Sequence, residues 1–202
     1  MKIIGLTGPS GAGKGYVAAI FASYGVPSID TDVVYHELTT PPSACLDELT
    51  ACFGKQILTP SGTLNRGALA AIVFAPGAGE ALDELNRITH RHVLAEVRRR
   101  CGELDAAGCY AVLVDAPQLF ESGFDAECDR VLVVLAPRDI RLSRIMERDG
   151  LERARAEARL NAQKPDDFFR EHADGVIVND GMADPAPDVR RLLTEWEVPY
   201  AI

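Results

Sequence analysis

The chain has 202 residues, of which 47% are hydrophobic and 25% are charged, and its formal net charge at pH 7 is −9. This length suits one well-buried domain with a small insertion, and the negative charge argues against nucleic acid or an anionic membrane as a partner. Five cysteines without a Cys-x-x-Cys pair, no signal peptide, and no apolar stretch near the roughly 20 residues of a membrane span predict a cytoplasmic protein without disulfides or structural zinc.

A glycine-rich loop follows the first predicted strand, residues 3–6, and precedes a predicted helix over residues 17–24. Residues 8–14 fit the pattern G-x-x-x-x-G-K in the strand–loop–helix context that a phosphate-binding loop requires. The glycines let successive backbone N–H groups face one concave nest, the helix adds its positive end, and Lys14 can reach the β- and γ-phosphates. The alternative is a plain glycine-rich turn. We predict a nucleotide-phosphate site formed by Gly8, Ser10, Gly11, Ala12, Gly13, Lys14, Gly15 and Tyr16.

Two aspartates follow the second predicted strand, residues 26–29. Asp30 and Asp32 lie at its carboxyl end, where open α/β sheets bind their ligands. Beside a phosphate loop, such a carboxylate pair suits the deprotonation of an alcohol and the organisation of Mg²⁺, both of which serve phosphoryl transfer. The alternative is that either residue simply caps the following helix.

Residues 33–104 are too many for one crossover between strands, and we interpret them as a helical insertion over the carboxyl ends of the strands. Helices are predicted over residues 33–39, 43–53, 66–74 and 80–100. His90 lies on the longest of them, off its apolar stripe and close to Arg87 and Arg91. His90 is either a surface or packing residue or, together with the arginines, a contact for phosphate or sugar.

Asp115 ends the third predicted strand, residues 111–114. An acidic side chain at this point could face Mg²⁺ through water, as the second acidic site of phosphate-loop folds does. The alternative, that Asp115 caps the next turn, is equally open from the sequence alone.

Seven arginines crowd the two helices predicted over residues 138–148 and 151–163, after the fourth strand at residues 131–135. Small kinases place a mobile lid at this point, and one or two of its arginines close over the triphosphate and stabilise charge in the transition state. Arg144 and Arg148 share a helix face at positions i and i+4, so they can act together. The alternative is a solvated helix face whose arginines pair with Glu and Asp.

Short, continuously apolar strands that alternate with helices predict an α/β fold with a doubly wound parallel sheet. The fifth strand is predicted over residues 176–178, and a last helix, capped by Asp184, runs to about Trp196. We expect one P-loop NTPase-type domain with a five-stranded parallel sheet flanked by helices. Its core covers residues 1–32, 105–137 and 173–202, the helical substrate-binding insertion residues 33–104, and the helical lid residues 138–172.

The sequence resembles the dephospho-coenzyme A kinase family almost from end to end. The phosphate loop alone is shared by many small kinases. The specific part of the resemblance lies in residues 29–32 (IDTD), 88–90 (ITH), 115–123 (DAPQLFESG), 159–163 (RLNAQ), 173–174 (AD) and 179–181 (NDG).

This resemblance implies an ATP-dependent kinase that transfers a phosphate to the ribose 3′-hydroxyl of dephospho-coenzyme A, with Mg²⁺ as cofactor. It implies that Asp30 is the base, that Lys14 and the loop backbone hold the ATP phosphates, and that Arg144 or Arg148 supplies the charge of the lid. In the implied acceptor site, His90 and the segment Leu119, Phe120 and Glu121 hold the acceptor. We expect Asp32, Arg66 and Asp115 to bind substrate as well, and Asp32 and Asp115 to be the Mg²⁺ ligands. A monomer or weak homo-oligomer is expected.

Several positions depart from the family pattern, and Gly15 is the most consequential of them. Gly15 and Tyr16 stand where two hydroxyl residues are usual, so Ser10, a water or Asp32 would have to complete the Mg²⁺ shell. Arg91, Gln118 and Phe169 also differ from the usual residues. The alternatives to a dephospho-coenzyme A kinase are therefore another small-molecule kinase of this fold and a weakly active nucleotide-binding module.

Overall fold

The computed structural model describes residues 1–200, and the chain divides into two compact units. The first unit comprises Met1–Ile29 and the chain from Cys101 onward, and the second comprises Asp30–Arg100. Residues 201 and 202, the last two of the predicted core, lie outside the described residues.

The five predicted strands are all present, and they form one parallel sheet in the order β2-β3-β1-β4-β5. The predicted fold class is therefore confirmed. The register pairs Leu6 of β1 with Asp115 of β3 and Thr7 of β1 with Val133 of β4. The strands are β1 (Lys2–Thr7), β2 (Ser28–Asp30), β3 (Ala111–Asp115), β4 (Arg130–Leu135) and β5 (Gly175–Val178).

The helices are α1 (Lys14–Ser23), α2 (Thr31–Leu38), α3 (Ala44–Phe53), α4 (Arg66–Val73), α5 (Gly79–Ala106), α6 (Arg138–Asp149), α7 (Arg153–Asn161), α8 (Asp166–Glu171) and α9 (Ala186–Glu195). Every predicted helix is present; the bounds agree within three residues except at α5, which ends at Ala106, six residues beyond its predicted end. The sequence did not predict α8, because six residues are too few to show a helical period. No helix in residues 1–200 is both long enough and apolar enough to cross a membrane.

Each unit has its own apolar core. In the first unit, α1 and α9 bury Phe21, Leu193 and Trp196 against sheet residues such as Ile4 and Leu132. The core of the second unit lies between α3, α4 and α5 and contains Cys45, Leu49, Phe53, Ile57, Leu69, Val73 and Ile88. A side-chain cap marks the start of α4 in the second unit. Its N-cap residue, Asn65, accepts a hydrogen bond from the Ala68 N–H at 3.0 Å.

Replacing Phe21 with Ala is expected to destabilise the protein by about 3–5 kcal/mol, the usual cost of emptying a large aromatic site in a core. Phe21 is fully buried between α1 and the sheet. Phe74→Ala is the matched control, because Phe74 is 71% exposed, and it should change stability by less than about 0.5 kcal/mol. Chemical denaturation of both variants measures the difference. Equal losses would contradict the described core.

Candidate active site

The loop between β1 and α1 has the backbone of a phosphate-binding nest. Glycines at three points of the loop have positive φ: Gly8 at 142°, Gly11 at 80° and Gly13 at 91°. At Gly8 a Cβ atom would overlap the Val134 carbonyl oxygen of β4. Only glycine therefore allows the backbone to pass this close to β4 as it leaves β1. The loop therefore lies directly on the carboxyl end of β4.

The N-terminus of α1 opens toward solvent at the end of this loop. The N-cap residue is Gly13, and no side chain in the described part of the chain caps this helix. Its first N–H groups are therefore available to an anion, which the helix dipole also favours. Lys14 is half-buried, and its Nζ lies 3.4 Å from the Gly8 carbonyl oxygen. Gly15 and Tyr16 are exposed on the first turn.

Arg144 of α6 lies against the back of the loop. Its guanidinium donates to the carbonyl oxygens of Gly11 at 3.1 Å and Ala12 at 3.2 Å, and to the carbonyl oxygen of Asn179 at 3.2 Å. Asn179 also donates from Nδ2 to the Ala12 carbonyl oxygen at 3.0 Å. Positive charge is thereby fixed next to the peptide groups of the loop.

Arg148 and Gln163 approach the loop at Ser10. Arg148 Nη2 lies 3.3 Å from the Ser10 hydroxyl, and Gln163 Oε1 accepts a hydrogen bond from the Ser10 N–H at 3.2 Å. Asp149 accepts from Arg148 at 2.8 Å and from Arg159 at 2.6 Å. The hydrogen bond from Arg148 lowers the pKa of Asp149, so this carboxylate balances the two arginines at neutral pH.

Asn179 and Gln163 were not among the predicted site residues. Their only signal in the sequence is that both lie in blocks shared with the family. Their contacts with the loop join residues more than 150 positions apart in the chain, at 167 positions for Asn179 and 153 for Gln163. Local pattern and spacing carry no information about such contacts.

The end of β3 and the segment after it hold four further predicted residues in different surroundings. Asp115 ends β3 and is half-buried, whereas Leu119 is fully buried, and its backbone N–H and carbonyl groups are both hydrogen-bonded within the segment. Phe120 packs edge-to-face on Phe168 of α8, with ring centroids 5.3 Å apart. Glu121 pairs with Lys164 at 2.9 Å. The unpredicted helix α8 thus joins the segment that follows β3.

The second unit begins with the proposed base. Asp30 is exposed, and its Oδ1 accepts hydrogen bonds from the N–H groups of Asp32 at 2.8 Å and Val33 at 3.2 Å. Asp30 is therefore the N-cap of α2, the alternative that the sequence left open for it. Both bonds end on Oδ1, so Oδ2 can still meet another proton donor. Asp32 lies exposed in the first turn of α2.

Arg66 and His90 are the other two predicted residues of the second unit, and Arg66 contacts polar and aromatic groups. Arg66 donates to His36 Nδ1 at 2.9 Å, and its guanidinium lies 5.7 Å from the centre of the Tyr35 ring. Burial raises the pKa of Tyr35. His90 is half-buried on α5. The two arginines beside it on α5 are paired with carboxylates, Arg87 with Glu84 and Arg91 with Glu48.

The donor set near the loop fits Mg²⁺, although not as a cage built from protein alone. Among residues 1–200, no group of three or more His, Cys, Asp and Glu side chains could hold a metal ion. Mg²⁺ in nucleotide sites usually takes one or two carboxylates, phosphate oxygens and several waters. The Asp115 carboxylate lies at the end of β3. Asp115 pairs in register with Leu6 of β1, and the loop begins two residues after Leu6. Gly15 supplies no ligand.

Comparison with known proteins gives consistent matches over most of the chain. A family model described as Dephospho-CoA kinase matches residues 2–184. A dephospho-CoA kinase from Anaeromyxobacter dehalogenans is 42% identical over 182 residues, which are 90% of this chain and 85% of that protein. These matches extend over the phosphate loop, the second unit and the arginine-bearing helices α6 and α7.

Two solved structures are similar to the whole fold. A crystal structure of a Thermus thermophilus protein is 32% identical, covers 96% of this chain and 97% of its own, and has a TM-score of 0.81. A dephospho-CoA kinase from Campylobacter jejuni is 29% identical with the same coverage, 96% and 97%, and a TM-score of 0.69.

Proposed function

The chain belongs to the dephospho-CoA kinase family, and on that premise we propose that it transfers the γ-phosphate of ATP to the ribose 3′-hydroxyl of dephospho-coenzyme A. The products are coenzyme A and ADP. The observation that carries the proposal is the phosphate loop, with the open end of α1 in front of it and the arginines of α6 beside it.

The loop and its arginines would bind and polarise ATP. Backbone N–H groups of the loop and of the first turn of α1 hold the β- and γ-phosphates, and Lys14 adds a mobile positive charge. The Arg148 guanidinium lies next to Ser10 of the loop. Arg148 is therefore the lid residue best placed to stabilise the negative charge that develops on the transferring phosphate. Arg144 adds fixed positive charge behind the loop, since its guanidinium is engaged with loop carbonyls.

Asp30 would act as the base for the acceptor hydroxyl. Capping α2 through Oδ1 holds the side chain in one orientation, and Oδ2 can accept the proton of the ribose 3′-hydroxyl as it attacks the phosphate. The capping role and the catalytic role are therefore compatible in one residue.

Asp115 would hold Mg²⁺ directly or through water, with Asp32 and Ser10 as further candidate oxygen donors. A Mg²⁺ ion held there would supply positive charge that offsets the negative charge developing on the phosphates. The acceptor would be held by Arg66, His90, Phe120 and Glu121, whereas the fully buried Leu119 would support the segment that carries Phe120. Arg66 is a suitable contact for an acceptor phosphate because its guanidinium is oriented by His36 and Tyr35.

We also propose that the protein works in the cytoplasm as a monomer or weak homo-oligomer. All five cysteines are free thiols, which suits a reducing compartment.

Product analysis tests the proposed regiochemistry. Phosphorus NMR of the product from Mg²⁺-ATP and dephospho-coenzyme A should show a new phosphomonoester on the ribose 3′-oxygen. Transfer to another position, or ATP hydrolysis without a phosphorylated acceptor, would contradict the proposal.

Replacing Gly15 with Ser is expected to preserve activity and to lower the Mg²⁺ concentration needed for half-maximal rate. Apart from its chain neighbours and the backbone of α1, no described atom lies within 4 Å of a Cβ placed at Gly15, so a serine side chain should fit and add an oxygen ligand for Mg²⁺. Gly13→Ser is the contrasting variant, because a Cβ there would overlap the Asn179 amide. Mg²⁺ titration of the initial rate measures both. An inactive Gly15→Ser protein would reveal a separate constraint on that backbone.

A further inference from the structure

Asn179 follows β5 directly and is buried to 4% exposure in the first unit. Its backbone N–H donates to the Leu135 carbonyl oxygen at 2.8 Å, which extends the pairing of β4 with β5 by one residue. A carboxamide buried this deeply needs partners at both its oxygen and its nitrogen. Those partners determine what the residue can do.

The Asn179 side chain is held between Arg144 and the phosphate loop. Its Nδ2 donates to the Ala12 carbonyl oxygen at 3.0 Å, and its Oδ1 faces Arg144 Nη2 at 3.5 Å. A guanidinium can only donate and a carbonyl can only accept, so these two neighbours fix which way the amide points. The Asn179 nitrogen must face the loop.

The contact at Ala12 controls the direction of the next N–H group. The Ala12 carbonyl and the Gly13 N–H belong to one planar trans peptide unit, so they point in opposite directions. Asn179 Nδ2 at 3.0 Å and Arg144 Nη1 at 3.2 Å hold that carbonyl on the inner side of the loop. The Gly13 N–H is thereby turned toward the outer, phosphate-facing side.

Close packing at Gly13 adds a second restraint. Gly13 has a φ of 91°, and a Cβ atom there would overlap Asn179 Nδ2. The amide therefore packs directly on the loop backbone. The loop cannot move inward at this point without displacing Asn179.

We propose that Asn179 is a positioning residue of the phosphate site, whose carboxamide holds the Ala12 carbonyl and so aims the Gly13 N–H at a bound phosphate. This inference rests on the proposed function, because it deepens the ATP site. Asn179 acts through the loop and does not touch the substrate. Arg144 supports the same carbonyl.

Asn179→Asp removes the Nδ2 donor and also introduces a negative charge beside Arg144. Aspartate keeps the volume and an oxygen for Arg144, but it places an acceptor against the Ala12 carbonyl. Asn161→Asp is the matched control. The Asn161 Oδ1 also accepts a hydrogen bond from an arginine, Arg138, at 2.5 Å, but Asn161 is exposed. The readout is calorimetric titration with ADP in the absence of acceptor, at a temperature well below each variant's own melting temperature.

The expected result is that Asn179→Asp weakens ADP binding by about tenfold or more, the usual effect of leaving a buried hydrogen-bond partner unpaired, whereas Asn161→Asp binds like the wild type. Wild-type affinity in Asn179→Asp would overturn this inference and leave the proposed function intact. Failure of the wild-type protein to bind ADP would instead overturn the proposed ATP site.

A double-mutant cycle tests the direct contact between Asn179 and the loop. Gly13→Ala is expected to weaken ADP binding by a smaller factor in an Asn179→Ala background than in the wild type, because the overlap with the amide is gone and only the cost of positive φ remains. Equal factors in the two backgrounds would overturn the contact.

Discussion

Asp30→Asn is expected to lower kcat by about a hundred- to ten-thousand-fold, the range that a positioned general base contributes. Asparagine is nearly isosteric and is an equally good N-cap, so the bonds to the Asp32 and Val33 N–H groups should persist. What is lost is the carboxylate that would accept the proton of the attacking hydroxyl. ATP binding should be preserved, because it depends on the phosphate loop.

The control for Asp30→Asn is Asp184→Asn. Asp184 precedes Pro185, the N-cap residue of α9, and its Oδ1 also accepts a backbone hydrogen bond at a helix start, from the Ala186 N–H at 3.0 Å. This variant makes the same chemical change at a helix N-terminus outside the proposed site, and its turnover should equal that of the wild type. Steady-state turnover and ATP affinity are measured for both variants. Near-normal turnover in Asp30→Asn would remove Asp30 as the base and leave it as a cap alone.

Lys14→Ala is expected to lower kcat/KM by about a hundred- to a thousandfold. This is the usual effect of removing one preorganised group that stabilises charge in the transition state, here on the transferring phosphate. Lys14 Nζ lies only 3.4 Å from the Gly8 carbonyl oxygen, so the ammonium already points back along the loop. Lys14→Arg should not restore activity, because the planar guanidinium is larger and places its charge differently.

Lys55→Ala is the matched control for Lys14→Ala. Lys55 is an exposed lysine in the short 3-10 helix Lys55–Ile57 of the second unit, and removing its charge should leave kcat/KM unchanged. Steady-state kinetics with varied Mg²⁺-ATP measure all three variants. A Lys14→Ala enzyme with wild-type kcat/KM would contradict the assignment of the loop as the ATP site.

The fold was predictable because its signals are local. Each strand is a short, continuously apolar run, and the residues that follow β1 combine glycines with Lys14 in a known spacing. Helix α8 escaped prediction because its six residues carry no clear period. Its aromatic contacts with Phe120 depend on the tertiary fold.

The candidate site was only partly predictable for the same reason. Residue type and position at a strand end pointed to Asp30, but its capping bonds became visible only in the structure. Arg144 and Arg148 were selected for their shared helix face, yet the structure gives them different surroundings, loop carbonyls for Arg144 and the Ser10 hydroxyl for Arg148. The role of Asn179 depends on a contact across 167 positions, which spacing along the chain cannot indicate.

The most direct test of the proposed function is ADP release from Mg²⁺-ATP with dephospho-coenzyme A, compared with no acceptor and with adenosine, AMP and shikimate. Turnover with dephospho-coenzyme A alone is the predicted result, and it would also show that Gly15 is no barrier to metal-assisted transfer. Turnover with another acceptor instead would point to a different small-molecule kinase. ATP binding without turnover on any acceptor would contradict the proposed reaction and implicate the hydroxyl missing at Gly15.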